Sequence, residues 1–321
     1  MNKIDFTEAI NIIKKHDNIF IASHVNPDGD NIGSCLGLYL ALKKTNKNVR
    51  VLQSDILPED FNFLKGFEDI KSYEDDEKID LLILLDSADS KRLGDNEALL
   101  GKAKTTINID HHLSNTNYAD LNLVDPKSPS TCELVYYLIK QMNIEIDKNI
   151  AEALYTGIST DTGKFSYDSV TGDTLRIVAN LIDLGIDFNK INIRLYESIS
   201  LPKMSLKIKA LSGLKMYKNN QVALVKVSQD MLKSTNTSME DTNGIVEEIR
   251  KVEGVEVACL LKEIKKNEIK VSMRSKEFFN VSEVCEDLGG GGHIRASGCT
   301  INKSLNKSEQ IVLDTIDKYL R

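Results

Sequence analysis

Three short apolar runs in this chain stop abruptly at acids or histidines, and that coincidence restricts the folds open to it. Ile19-Phe20-Ile21-Ala22-Ser23 runs into His24, with Asp28 and Asp30 close behind. Leu81 to Leu85 ends at Asp86, with Asp89 three residues on, and Thr105 to Ile109 ends at Asp110-His111-His112. Short apolar runs bounded by turn residues read as buried strands of a parallel sheet. In open α/β sheets the ligand lies outside the carboxyl ends of the strands. Such a fold would gather these carboxylates and imidazoles in one crevice, where they would repel one another without cations to neutralise them. A metal cluster is expected there.

The rest of the amino-terminal half fits a doubly wound parallel sheet. Strands are expected near residues 18–23, 49–53, 81–85 and 105–109, with helices near 31–44, 131–142, 150–160 and 171–184. Gly33 and Gly37 fall near the start of the first of these helices, where they permit close backbone approach to the sheet or to a ligand. We take residues 1–186 as the catalytic domain and 187–211 as a charged helical connector broken at Pro202. Residues 212–321 read as a smaller α+β domain. Its hairpins centre on Lys218-Asn219-Asn220 and Lys265-Lys266-Asn267, and its helices lie near 244–252, 282–288 and 308–320.

Composition narrows the partners. A length of 321 residues suits two domains of roughly 100–200 residues each. A formal charge of −7 argues against clamping long nucleic acid through many phosphates. The longest apolar run, Cys35 to Leu42, is far short of the roughly 20 residues of a membrane span, and Met1 to Asp5 opens no signal-peptide core. The cysteines Cys35, Cys132, Cys259, Cys285 and Cys299 are odd in number and lack Cys-x-x-Cys spacing, which points to the reducing cytoplasm. No membrane partner is expected, and a homodimer stays open.

Each constellation also has a bland reading. His24, Asp28 and Asp30 flank Pro27 and Gly29 in a tight turn; they suit Mn²⁺, Zn²⁺ or Fe²⁺, or else Asp30 is only a helix N-cap. Asp86 is a ligand or a strand-end cap, and Asp89 with Arg92 a local ion pair. In Asp110-His111-His112 the two rings point in different directions, so one can bind metal while the other faces substrate. Asp161 ends a helix, where the dipole disfavours a carboxylate unless a cation is near. In the segment Gly289 to Gly298, successive backbone N–H groups of Gly290, Gly291 and Gly292 can form an anion nest, with His293, Arg295 and Ser297 beside it. The bland reading is a flexible linker. Arg274 ends a neighbouring strand and either adds a phosphate contact or is a solvated hairpin end.

Together these segments resemble the DHH phosphoesterase superfamily, named for the triplet Asp110-His111-His112. His24, Asp28 and Asp30 match its first motif, Asp86 its second and Asp161 its fourth; the Gly289–Gly298 segment matches the DHH-associated domain. The two-domain length, with Asn108 to Asn115 and Val271 to Ser275, is most similar to the bacterial nanoRNase branch. That resemblance implies hydrolysis of very short oligoribonucleotides to mononucleotides, and of adenosine 3′,5′-bisphosphate to AMP. It also implies two Mn²⁺ ions, with Mg²⁺ or Co²⁺ as substitutes. His24 and Asp28 would hold one ion, Asp30, His111 and Asp161 the other, and Asp86 would bridge them. His112 would face the reacting phosphate, Asp110 would orient the histidines, and the second domain would close over the substrate and grip its far phosphate. An enzyme for cyclic di-AMP or linear pApA has the same motifs. A non-catalytic nucleotide sensor would be expected to have lost a metal acid, and none is missing here.

Overall fold

The computed structural model describes residues 4–74 and 77–320. It divides into two compact units, one ending at Ser198 and the other beginning at Ile199.

The first unit holds the helices α1 (Thr7–Lys15), α2 (Gly29–Lys43), α3 (Thr131–Gln141), α4 (Lys148–Asp161), α5 (Gly172–Asp183) and α6 (Phe188–Asn192). Its strands are β1 (Asn18–Ala22), β2 (Asn48–Leu52), β3 (Ile70–Lys71), β4 (Leu81–Leu85), β5 (Thr105–Asp110) and β6 (Leu121–Val124). All pairings are parallel, in the order β3-β2-β1-β4-β5-β6. In this doubly wound order the direction of winding reverses between β1 and β4, where α/β sheets open a crevice. β4 is buried along its whole length. Leu81, Ile83 and Leu85 face the larger core, and Leu82 and Leu84 face a smaller one with Leu93 and Leu99 from the 3₁₀ segment Ser90–Gly101. Burial on both faces explains why the run is apolar without alternation.

Gly29, Gly33 and Gly37 line one side of α2, but what they approach is α4. A Cβ at Gly33 would stand 2.5 Å from the carbonyl oxygen of Ala153, and one at Gly29 would collide with Thr160 Oγ1. The expected approach to the sheet or a ligand is therefore a helix–helix contact. It brings the start of α2 to the end of α4.

The stretch 187–211 is shared out. α6 and a π-helical turn, Ile193–Glu197, belong to the first unit, and α7 (Leu201–Ser212) belongs to the second. Pro202 does not break a helix but opens one, at a position where its missing N–H costs nothing.

The second unit is a mixed sheet in the order β11-β12-β10-β9-β8-β7. The strands are β7 (Lys215–Tyr217), β8 (Val222–Val227), β9 (Val257–Lys265), β10 (Glu268–Ser275), β11 (Gly291–His293) and β12 (Ala296–Ile301). Only β8 and β9 pair in parallel. The helices α7, α8 (Gln229–Thr235) and α9 (Ile245–Arg250) accompany the core on one face; α10 (Val281–Asp287) and α11 (Leu305–Tyr319) accompany the core on the other. All five cysteines are free and buried. Among the described residues, no helix is long and apolar enough to cross a membrane.

Candidate metal centre and phosphate-binding face

The acids and histidines at the ends of β1, β4 and β5 converge at the switch point. His24 follows β1, and its Nδ1 lies 2.8 Å from the carbonyl of Val25. A carbonyl can only accept, so Nδ1 carries the proton and Nε2 presents a lone pair. That Nε2 is 3.3 Å from Asp86 Oδ2 and 3.9 Å from Asp28 Oδ2. Asp28, not Asp30, is the N-cap of α2: its Oδ1 accepts the N–H of Asn31 at 3.0 Å. Asp30 lies inside the first turn and is 1% exposed. Its two oxygens accept the backbone N–H groups of Thr131 (2.6 Å) and Cys132 (2.9 Å), at the open amino end of α3.

His111 repeats the arrangement of His24. Its Nδ1 is 3.2 Å from the Ser128 carbonyl, which leaves Nε2 facing Asp161 Oδ2 (3.3 Å), Asp86 Oδ1 (3.6 Å) and Asp30 Oδ2 (3.9 Å). Asp161 is the last residue of α4, as its sequence position implied. Asp86 thus turns one oxygen to each histidine. Its Oδ1 also accepts from Thr131 Oγ1 at 3.1 Å. The backbone at Asp86 is left-handed, with φ 55°, a conformation that strains most side chains and is tolerated by aspartate.

The donor atoms form two groups, His24–Asp28–Asp86 and Asp30–His111–Asp161, each within 4.8 Å of one another. Asp86, His111 and His112 make an overlapping third. Burial, with the charges of Asp30 and Asp28, pushes the Asp86 carboxyl well above the usual carboxylate range. Burial raises Asp30 as well, against the opposing pull of His111. Asp161 is pushed up to about 7 by burial and by Asp30. Burial works against the charge on His111, but Asp30, Asp86 and Asp161 outweigh it and raise the imidazole to about 9. The protein alone therefore assembles more negative charge than it neutralises. Imidazole and carboxylate donors, with no thiolate among them, suit divalent cations of borderline to hard character.

Asp110 closes β5 and is wholly buried. Its Oδ1 accepts from His112 Nδ1 at 2.7 Å and its Oδ2 from Asn115 Nδ2 at 2.6 Å. Burial would raise its pKa, but the hydrogen bond and charge of His112, with the Asn115 amide, prevail and hold it below the usual value. Its partner is His112, and the Ser128 carbonyl rather than Asp110 orients His111. Asp89 is a cap, accepting the N–H groups of Lys91 and Arg92. Sequence reasoning missed Val25, Ser128, Thr131 and Asn115. A signal existed for one of them: Ser130 followed by Glu133 marks a helix start, and Ser130 Oγ does cap α3.

In the second unit the glycine run is divided between two jobs. The N–H of Gly289 bonds to Glu286 and that of Gly290 to Cys285, ending α10. Gly291 and Gly292 enter β11. The expected nest of successive N–H groups is therefore not formed, because half of the run finishes a helix. His293 pairs with Ala296, which pairs with Arg274, so these three share one face of the sheet. Ser297 pairs with Met273 on the opposite face, and its hydroxyl donates to the His293 carbonyl at 2.8 Å. Arg295 turns its guanidinium onto the carbonyls of Phe279 (2.9 Å) and Glu277. Arg274 donates to Glu247 Oε1 at 3.0 Å.

The DHH family N-terminal domain matches residues 18–158 and the DHHA1 domain residues 219–321. The bifunctional oligoribonuclease and PAP phosphatase NrnA of Thermus thermophilus is 32% identical over 308 residues, 94% of this chain and 90% of that one. The protein of the same description from Bacillus subtilis is 28% identical over 318 residues, 96% of each chain. The crystal structure of an exopolyphosphatase-related protein from Bacteroides fragilis matches with a TM-score of 0.94 at 30% identity, covering 99% of this chain and 98% of that one. Motifs, strand order and near-complete matches agree: the chain belongs to the DHH phosphoesterase family, as a DHH domain followed by a DHHA1 domain, and its NrnA relatives match it over most of its length.

Proposed function

We propose that this protein is a metal-dependent phosphoesterase that hydrolyses short oligoribonucleotides to mononucleotides and adenosine 3′,5′-bisphosphate to AMP. The observation that carries the reading is Asp86, whose two oxygens address two separate donor groups 3.3 and 3.6 Å away. His24 and Asp28 would hold one divalent cation and Asp30, His111 and Asp161 the other, with Asp86 contributing to both. Mn²⁺ is the preferred ion, with Mg²⁺ or Co²⁺ as substitutes. Bound there, the ions would supply charge stabilisation at the phosphoryl oxygens and a water of lowered pKa.

The remaining work falls to side chains. Asp110 fixes the His112 ring through Nδ1, so that a protonated His112 can turn its opposite edge as a donor to a non-bridging oxygen where charge grows. Arg274, His293, Gly291 and Gly292 receive a second phosphate of the substrate. Arg295, Ser297 and Gly290 support that surface by holding their own unit together. The names of the NrnA relatives support this substrate class, and the free thiols suit the cytoplasm.

The test is a product time course on pApA, adenosine 3′,5′-bisphosphate, cyclic di-AMP and a long single-stranded RNA, using chelator-stripped protein with metals added back. Rapid turnover of the first two, dependent on metal and best with Mn²⁺, is expected. Preference for cyclic di-AMP would make it a cyclic-dinucleotide phosphodiesterase. Full activity in metal-free buffer would refute the two-ion reading.

A further inference from the structure

The face that carries Arg274 continues along the sheet to a lysine the site has not used. Lys262, on β9, is 8% exposed, and among the described residues its ammonium donates no hydrogen bond and joins no ion pair. Directly opposite it in the ladder stands Lys270 on β10. Like charges facing each other across a sheet destabilise it, and the stem of Lys262 is covered while its ammonium still reaches solvent. Arg274 lies four residues along the same strand and face, roughly 13 Å away at about 3.3 Å per residue. Between them the floor is built of small residues, Ser272 on β10 with Gly298 and Thr300 opposite on β12. Burial, then Lys270 and Arg274, push the Lys262 ammonium toward its neutral form, and Glu247 and Glu240 oppose this only in part. Glu247 is engaged by Arg274 through one oxygen, while its other oxygen is buried without a partner.

We propose that Lys262 and Lys270 form an anion-binding extension of the Arg274 face, which takes a further phosphodiester of the oligonucleotide and makes substrate use depend on chain length. This rests on the phosphoesterase reading and adds a length-sensing element to it. An incoming phosphate relieves the repulsion between the opposed lysines and bonds to the solvent-reaching Lys262 ammonium. The competing role for Lys262 is structural, as a partner for the second oxygen of Glu247.

The experiment compares Lys262→Met and Lys262→Arg with the unsubstituted enzyme on 5′-phosphorylated di-, tri- and tetraribonucleotides and on bis-p-nitrophenyl phosphate. For Lys262→Met, kcat/KM on the trinucleotide should fall about tenfold, mainly through KM. The loss should be at least fivefold larger than on bis-p-nitrophenyl phosphate. Lys262→Arg should recover most of it. Tm should hold or rise in Lys262→Met, because a charge that opposed Lys270 across the ladder has gone. Proportionate losses on every substrate with a lowered Tm would overturn the proposal in favour of the Glu247 partner. Binding of a fluorescent phosphorothioate tetraribonucleotide gives a readout free of turnover. Its log–log salt dependence should lose about 0.7 in slope in Lys262→Met. Hydrolysis of oligoribonucleotides with that slope unchanged refutes the extension. Loss of the slope in a protein that cleaves no oligoribonucleotide leaves the anion site standing and refutes the substrate assignment instead.

Discussion

The cluster at the switch point of the first unit and the basic face of the second both concentrate charge, and they hold it in opposite ways. In the cluster His24, Asp30, Asp86 and Asp110 are buried, and three of the metal-facing groups are tied to backbone atoms. Asp30 takes two N–H groups of α3, and His24 and His111 each give one ring nitrogen to a carbonyl. On the sheet face Lys270 and His293 are exposed, Arg274 is bound to a neighbouring carboxylate, and Lys262 stands opposite Lys270. Aiming a ligand atom within a few tenths of an ångström takes rigid partners, whereas attracting a phosphate takes only charge and access.

That contrast can be broken most sharply at Asp86. Asp86→Ala should lower kcat by at least about a thousandfold and reduce the bound metal per chain, since the one carboxylate whose oxygens face both His24 and His111 is lost. Rate and metal content should be measured on one preparation, and retention of both would show that the bridge lies elsewhere. Asp110→Asn comes next. It keeps the shape but loses the charge that orients His112, and a loss of about ten- to a hundredfold in kcat with metal content intact is expected. Loss of metal instead would make Asp110 part of the ion site.

The burial of like charges has a thermal signature. Asp161, raised to about 7, stabilises the metal-free fold below its unfolded pKa near 3.8, and this is lost as pH rises through 7. His111, raised to about 9, contributes stability below 6.5 that is lost as pH rises through 9. Both have the same sign, so the Tm of chelator-treated protein should fall between pH 6 and 9. Asp161→Asn should flatten that slope, and added Mn²⁺ should reduce it. A Tm that rises over this window in metal-free protein would contradict the charge excess.

The second region should respond more mildly. Arg295→Ala removes bonds to two carbonyls at an exposed position, so about 1 kcal/mol of stability should be lost, with similar small activity losses on pApA and bis-p-nitrophenyl phosphate. A selective rise in KM for pApA with Tm unchanged would return Arg295 to phosphate binding, as the sequence alone suggested. Smallest of all, Asp89→Ala removes a cap and should cost about 1 kcal/mol with little effect on rate. A rate loss approaching that of Asp86→Ala would show that Asp89 reaches the ions.

Much of the first unit was legible because burial on both faces leaves an apolar run that any chain must spell out, as β4 does. The acids stand where those runs stop, so His24, Asp86 and the triplet declared themselves. Strands β3 and β6 carry no such signal: one is two residues long, and the other is only half buried. The glycine run misled for a related reason. Glycine ends helices and enters strands as readily as it lines a nest, and composition does not say which.

The sequence by itself determined the strand ends and the kinds of donor atom found there, because both follow from local pattern and chemistry. Only the tertiary structure decided which oxygen of Asp86 faces which histidine, and that Asp28 rather than Asp30 caps α2. It alone turned Arg295 onto the carbonyls of Phe279 and Glu277 and left Lys262 opposite Lys270. Those outcomes depend on contacts between residues distant in the chain, such as Asp30 with Thr131 and Cys132 at α3, and no local pattern encodes such distances.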